Sequence, residues 1–467
     1  MVGLNSALYI GRDALMTQQL AISVTGQKIA NVNTTGYSRQ RVILESKVID
    51  SSQGPIGAGV IDKGIVRTYD QFLNAHIRDE IQQEGTWQAE SQSMQQAEII
   101  FDEASGDGLS QHMSKFWNAW QDLTLNPSGY AERKALVTSS EDMASNFQEK
   151  YQYLDQIQKD MDGRITAATD EINTLASNIS DLNDKIAQME LNGSSANDFR
   201  DQRDVLINQL SEKINFTTKE DSQGRVTLTL GDGHDLVGSP PFGKLTTAVN
   251  ATSGYKDIVW DSAPATSIND NITAGNLSGW MNVRDSLVPE YKDKLDTLAA
   301  QIIDQVNAVH IAGQGLDGTG SPTGIIFFSG TSASTIQVNP DIIADVNKIA
   351  AAGGTVLPGL IRGDNTQAVA MAGLQNTLTM DGSSATFDAY YNTLVSRVGS
   401  DVQNASMNLE HHTATVAQME NYRESVSGVS IDEEMVNLVK YQQGYAAAAK
   451  LIDTVRQMMD TVINMVQ

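Results

Sequence analysis

The chain has 467 residues, a net charge of −25 and no cysteine, with 40% hydrophobic and 6% aromatic content. So acidic a chain is a poor partner for nucleic acid or an anionic membrane surface, and without cysteine it holds neither disulfides nor thiolate metal sites. The length allows two to four domains, and the scarcity of aromatics argues against one large aromatic core.

The first thirty residues carry an apolar seam. Leu4, Leu8, Gly11, Leu15, Gln18, Ile22, Thr25, Ile29 and Val32 step by four and three, the spacing that keeps one helix face toward a partner helix. Asn31 to Gly36 is a dense helix stop and turn. Residues 37–70 read as extended, with alternation over Gln40 to Val48 and punctuation by Gly54, Pro55, Gly57, Gly59 and Gly64. Helical patterns return from Tyr69 to Phe101 and again around Phe116, Trp117, Trp120 and Leu123. From Ala131 the chain is predicted helical for some sixty residues, with a second seam from Met161 through Ile165, Ala168, Ile172, Leu175, Ile179, Leu182 and Ile186 to Met189. One more amphipathic helix covers Phe199 to Ile214.

The character changes at Asn215. Arg225 to Leu230, Leu245 to Val249 and Ile258 to Trp260 read as strands between turns. Helix resumes over 282–312, followed by a Gly-rich excursion with short strands at Ile325 to Phe328 and Thr335 to Val338. Gln367 to Leu374 is helical, and Tyr391 to Tyr422 carries a third seam through Leu394, Val398, Val402, Ala405, Leu409, His412, Val416 and Met419.

The last stretch organises the rest. Leu438, Tyr441, Tyr445, Ala448, Ile452, Val455, Met459, Val462 and Val466 form an unbroken seam of period 3.5. Ser430 and Glu433 have capping-box spacing, and three acids stand where the helix dipole is positive. Such a helix cannot bury its seam alone, and the N-terminal helix offers the simplest cover. The predicted fold is mainly α with inserted β, elongated and nested. Long heptad-patterned helices from both termini form a bundle or coiled-coil stem (1–50 and 428–467). A helical rod comprises 51–215 and 276–427, with the excursion at about 313–350, and residues 216–275 form a small antiparallel β domain. The terminal seam is expected to lie largely exposed in a single chain, Val455 included.

Catalytic and cofactor chemistry finds little support. Gly238 to Lys244 matches most of a phosphate-binding loop, but two prolines remove amide donors and Leu245 stands where Ser or Thr belongs. Adjacent His411 and His412 diverge by about 100° on a helix, and the other histidines lack ligand spacing. No nucleophile elbow appears. No enzyme, cofactor or metal site is expected. The N-terminus lacks a basic n-region and an apolar h-region, so no cleaved leader is expected.

Ala30-Asn-Val-Asn-Thr-Thr-Gly-Tyr-Ser-Arg39 resembles the N-terminal signature of the bacterial flagellar axial family of rod, hook and hook-associated proteins, with Thr35 where that family usually has proline. Ser427 to Lys450 resembles the matching C-terminal motif. Gly36 to Gln40 together with Asp432 to Met435 looks most like the members at the hook–filament junction. The resemblance implies a structural, non-catalytic flagellar component, outside the cell and exported by the type III route without cleavage. It implies a homo-oligomeric helical ring on the hook, with hook protein below and a second junction protein (hook-associated protein 3 type) above. It also implies a dedicated export chaperone on the C-terminal helix, with no nucleic acid partner and no membrane insertion. The expected interface comprises Leu4, Leu8, Leu15, Ile22, Ile29, Asn31, Gly36, Tyr37, Arg39 and the terminal seam from Leu438 to Val466. A different axial or phage-tail-like protein, or an adhesion rod whose β domain binds ligand, are the competing readings.

Overall fold

The computed structural model describes residues 2–51, 54–103, 106, 108–191, 195–238, 243–316, 323–357 and 360–466. Helix α1 (Val2–Ala30) leads into a hairpin of β1 (Gln40–Ser51) and β2 (Gly54–Arg67), whose antiparallel register shifts between Ile43 and Leu44 and between Ser46 and Val48. Then come α2 (Gln71–Ile100), α3 (Leu109–Leu125), α4 (Tyr130–Leu191) and α5 (Asn197–Ser211). Two antiparallel sheets come next: β3 (Thr217–Glu220), β4 (Val226–Thr229), β5 (Asp235–Val237), then β6 (Leu245–Val249), β7 (Lys256–Trp260), β8 (Ala263–Ser267). Helix α6 (Asn276–Asn282) passes through a π turn, Val283–Leu287, into α7 (Val288–Ala312). The excursion pairs β9 (Phe328–Ser329) with β10 (Gln337–Val338) and carries α8 (Pro340–Ala344). Helices α9 (Thr366–Gly373), α10 (Phe387–Ser427) and α11 (Ile431–Val466) complete the chain.

Helix α4 is the spine. Its 62 residues reach roughly 93 Å at about 1.5 Å per residue, longer than either core it serves. Its first half, Leu136 to Met161, joins α3, α7, α10 and the excursion in a distal core. Its second half carries the predicted seam, and Ile165 to Ile186 are buried there while Met189 is exposed. Ile165, Ile172 and Ile179 close over α5 and over Leu228, Leu245 and Ile258 from the two sheets, forming a proximal core. Strands 217–267 therefore do not bury their apolar faces only against each other; α4 and α5 supply much of the cover. The distal core gathers a cluster of aromatics. Phe116, Trp117, Trp120, Phe327, Phe328 and Phe387 all sit in the distal core, with Trp117 stacked on Phe387 at 5.8 Å.

The predicted seam of α10 is realised against α2, which runs antiparallel to it. His412 meets Glu80 at 2.8 Å and Ser91 meets Ser406 at 3.2 Å, while Ile77, Ile81 and Val416 form a small separate core. His412 thus bridges two helices, and His411 beside it is exposed. His310 is fully buried: Nδ1–H donates to the Ile325 carbonyl and Nε2 accepts from the Ala350 amide, so both ring nitrogens serve structure. Burial holds this imidazole down to about 4. Of the phosphate-loop match, residues 239–242 lie outside the described residues; Lys244 is followed directly by β6, not by a helix. Residues 317–322 of the Gly-rich run are likewise outside them. Strand Ile325–Phe328 is shorter than expected, its Phe327 and Phe328 amides being taken by the Asn307 side chain at 2.8 and 2.9 Å.

Candidate assembly interface

Helices α1 and α11 lie side by side and antiparallel. A Cβ on Gly11 would meet Ile452, one on Gly444 would meet Gln18, and Lys28 forms an ion pair with Glu434. Facing residue numbers therefore add to about 462 along the whole contact. Glycine at 11 and 444 lets the backbones approach: a methyl at Gly11 would stand 2.8 Å from Ile452 Cγ1. The buried face of α11 is Glu434, Leu438, Tyr441, Gly444, Ala448, Ile452, Val455 and Met459, all buried or half-buried. This is the predicted heptad with one exchange. Gly444 replaces Tyr445, which is 41% exposed and turned out of the seam.

The expectation that the seam would be open in a single chain is overturned at its centre. Val455 is only 3% exposed, because α1 covers it within the same molecule. Beyond Met459 the cover ends. Val462, seven residues after Val455, is 40% exposed. Val466 closes α11, its side chain outside the described set. On α1, Leu4, Leu8, Leu15, Ile22 and Ile29 are half-buried rather than central. The deepest positions are Gly11, Asp13, Thr17, Ala21, Val24, Thr25 and Lys28, because α1 packs on two sides. Its second side meets the hairpin, where Gly59, at φ +104°, brings its backbone onto Ile10 and Lys47 reaches Asp13 at 3.0 Å.

The signature loop anchors this stem to the body. Asn31 ends α1 with its side chain, donating to the Gln27 carbonyl and accepting from Thr34. Gly36 sits at φ +79°, where a Cβ would stand 2.2 Å from Val205 of α5. Its backbone conformation and its clearance both call for glycine. The Ser38 amide donates to Asp201 at 2.9 Å, Gln40 to Asp198 at 2.8 Å, and Arg67 to Asp201 and Asp204 at 3.0 and 2.6 Å. Arg78 from α2 reaches Asp204 at 2.8 Å. Burial raises the Asp201 carboxyl above its ordinary value, against the donors that hold it. Tyr37 is pushed up to about 12 by burial and by the nearby carboxylates of Asp198, Asp201 and Glu434. Arg39 ties both chain ends: its amide donates to the Ser427 carbonyl at 2.8 Å, its guanidinium to the Val426 carbonyl and to Glu433. Glu433 therefore points to Arg39 rather than completing the expected capping box, and its own amide lies 3.5 Å from the Ser430 hydroxyl.

Gly36, Tyr37 and Arg39, expected from the sequence at an interface with partners, here lie against α5 and the last two helices of the same chain; Asp198, Asp201, Asp204, Arg67 and Arg78, which hold the loop, were not among the expected residues. The only local signal was the acid-rich first half of α5. A pairing of residues some 160 positions apart leaves no periodic trace.

One face of α11 stays uncovered. Leu451, Met458 and Met465 are exposed and recur every seven residues beside the buried seam, and Val462, the seam position after Met459, is exposed with them. Tyr9 and Met16, seven residues apart on α1, are exposed as well. Among the described residues no cluster of three or more His, Asp or Glu could hold a metal, and no helix is long and apolar enough to cross a membrane.

Residues 94–328, just over half of the chain, match the family model described as the flagellar hook-associated protein FlgK helical domain. The chain belongs to this family. Its ends match two further models: residues 8–37 the flagella basal body rod protein, and residues 423–465 the flagellar basal body rod FlgEFG protein C-terminal. These two matches cover most of α1 with the signature loop, and α11. The chain is similar to flagellar hook-associated protein 1 of Bacillus subtilis (strain 168), 27% identical, covering 98% of this chain and 97% of that protein. It is 25% identical to the Salmonella typhimurium protein of the same name, over 99% of this chain and all of that one. Among solved structures it resembles the flagellar hook junction protein FlgK of Burkholderia pseudomallei, with a TM-score of 0.65 and 15% identity, over 77% of this chain and 100% of that one. That likeness shows the shared fold. The chain is accordingly a structural component of the flagellum that associates with other axial components.

Proposed function

We propose that the chain joins hook to filament by self-assembly through its stem. The observation that carries this reading is the second apolar stripe of α11. A helix already paired with α1 still presents Leu451, Met458 and Met465 to solvent at heptad spacing, with Val462 beside them, the pattern of a surface awaiting another helix. The relatives' shared name, flagellar hook-associated protein 1, supports the same place in the flagellum. On this reading copies form a helical ring on the hook tip, with hook protein below and a second junction protein above. The chain leaves the cell through the flagellar export apparatus without cleavage, an export chaperone covering the C-terminal helix in transit. The role is mechanical adaptation, with no catalysis.

The stem comprises 1–50 and 428–467 and takes in the rest of the hairpin to Arg67, since β1 and β2 pair along their length over α1. With the hairpin moved to the stem, residues 68–215 and 276–427 form the rod, and 216–275 close its proximal core. Electron microscopy of purified protein mixed with hook fragments tests the reading. Native protein should decorate the hook end, and Leu451→Asp with Met458→Asp should not. Absence of decoration by the native chain, or equal decoration by the variant, would sink the proposal.

A further inference from the structure

We propose that the body bends at a joint between its two apolar cores, centred on Arg284. Among the described residues the distal and proximal cores share no buried residue; Trp280, half-buried, packs against both. Helices α4 and α6–α7 hold buried residues in both cores, and α2, with α10 along it, runs beside them: it meets α5 and α6 at Arg78, Gly85 and Thr86 and enters the distal core at Met94. Helix α4 crosses between Met161 and Ile165, and the α6–α7 helix crosses between Met281 and Val283. Both are weakened at that level. In α4 the crossing holds Gly163, whose added Cβ would meet nothing within 4 Å, so no packing demands a glycine there. A glycine inside a helix weakens it relative to alanine. In the other helix the crossing is the π turn Val283–Leu287, a wider turn of the kind that marks kinks and functional sites.

The layer between the cores is polar. Arg284 is 1% exposed, yet it donates to Asp162 and to the Lys256 carbonyl, each at 2.8 Å, and to Asp285 at 2.7 and 2.8 Å. Gln158 donates to the Arg284 carbonyl at 2.7 Å, and the Lys256 amide donates to Asp162 at 2.8 Å. Close-packed cores have few alternative arrangements and resist shear. A hydrogen-bonded layer reaching solvent can exchange partners with water as its geometry changes. One side is open: a cleft of about 580 Å³ separates the β6–β7 turn, with Asn250 and Tyr255, from Lys292 and Asp293 of α7. Bending about Arg284 opens or narrows this cleft while each core moves as a unit. The joint needs no assembled partner, so it stands or falls separately from the assembly role.

The cysteine-free chain allows a direct test. Spin labels at Thr252→Cys and Asp293→Cys span the cleft; labels at Asp142→Cys and Asp304→Cys lie on α4 and α7 within the distal part. Double electron–electron resonance on the monomer should give a cleft distribution at least twice as wide as the control. Gly163→Ala should narrow it toward the control, and Asp285→Asn should widen it, with the helical circular dichroism signal unchanged. A cleft distribution as narrow as the control overturns the joint. A wide one indifferent to Gly163→Ala also overturns it, because the motion would then belong to the turn carrying Thr252.

Discussion

Val455→Asp and Val462→Asp place the same charge seven residues apart on one helix, and the structure separates their consequences. Val455 is 3% exposed against α1, whereas Val462 is 40% exposed. Burying a valine contributes roughly 1.5–3 kcal/mol. A carboxylate in its place loses that and adds a desolvation cost, so about 3–5 kcal/mol is the expected loss in the stem. Among the described residues, none of the stem lies in either body core or in the small α2–α10 core. The loss should therefore appear as local opening. Hydrogen exchange should show the α1 and α11 amides losing protection in Val455→Asp, while the main thermal transition stays in place. Val462→Asp should leave both unchanged, at a cost of about 0.5 kcal/mol or less, and still fail to cap hook fragments. A main transition lowered by many degrees in Val455→Asp would falsify the separation of stem from body. Normal capping by Val462→Asp would remove the outer stripe from the assembly surface.

Gly36→Ala should free the signature loop from α5, because the added methyl meets Val205 at 2.2 Å and the backbone is left-handed; a loss above about 1 kcal/mol is expected, read as faster proteolysis at residues 31–39. Lys28→Met alone should strand the buried Glu434 carboxylate and open the stem by about 3–5 kcal/mol, while Lys28→Met with Glu434→Leu should recover most of it; equal stability of single and double variants by hydrogen exchange would refute a buried pair. His310 makes stability depend on acid. Its folded value of about 4 lies below the ordinary one, so the unfolded chain binds the extra proton and stability falls as pH drops from about 6.5 to about 4, by up to about 3 kcal/mol. His310→Gln should flatten that slope in urea titrations, and an unchanged slope would refute it. Replacing residues 220–272 by a Gly/Ser linker should destabilise the chain, since Ile165, Ile172 and Ile179 lose their cover; an unchanged melting temperature would show that the strands are an independent appendage.

The sequence by itself determined the helices and their inward faces. A heptad or 3.6-residue repeat is local, and the seams of α4, α10 and α11 were legible because each apolar residue announces its own side of the helix. It also placed the turn at Gly36 and strand β6, both written in short-range residue preference. What covers each face follows from long-range packing. The facing relation of α1 and α11 makes Gly444 rather than Tyr445 the contact and closes Val455, while Val462 stays open. The carboxylates of Asp198, Asp201 and Asp204 became an anchor only when α5 met a loop some 160 residues earlier in the chain. Strands that looked self-contained share a core with α4, since four- and five-residue strands bury too little apolar surface to stand without a helix against them.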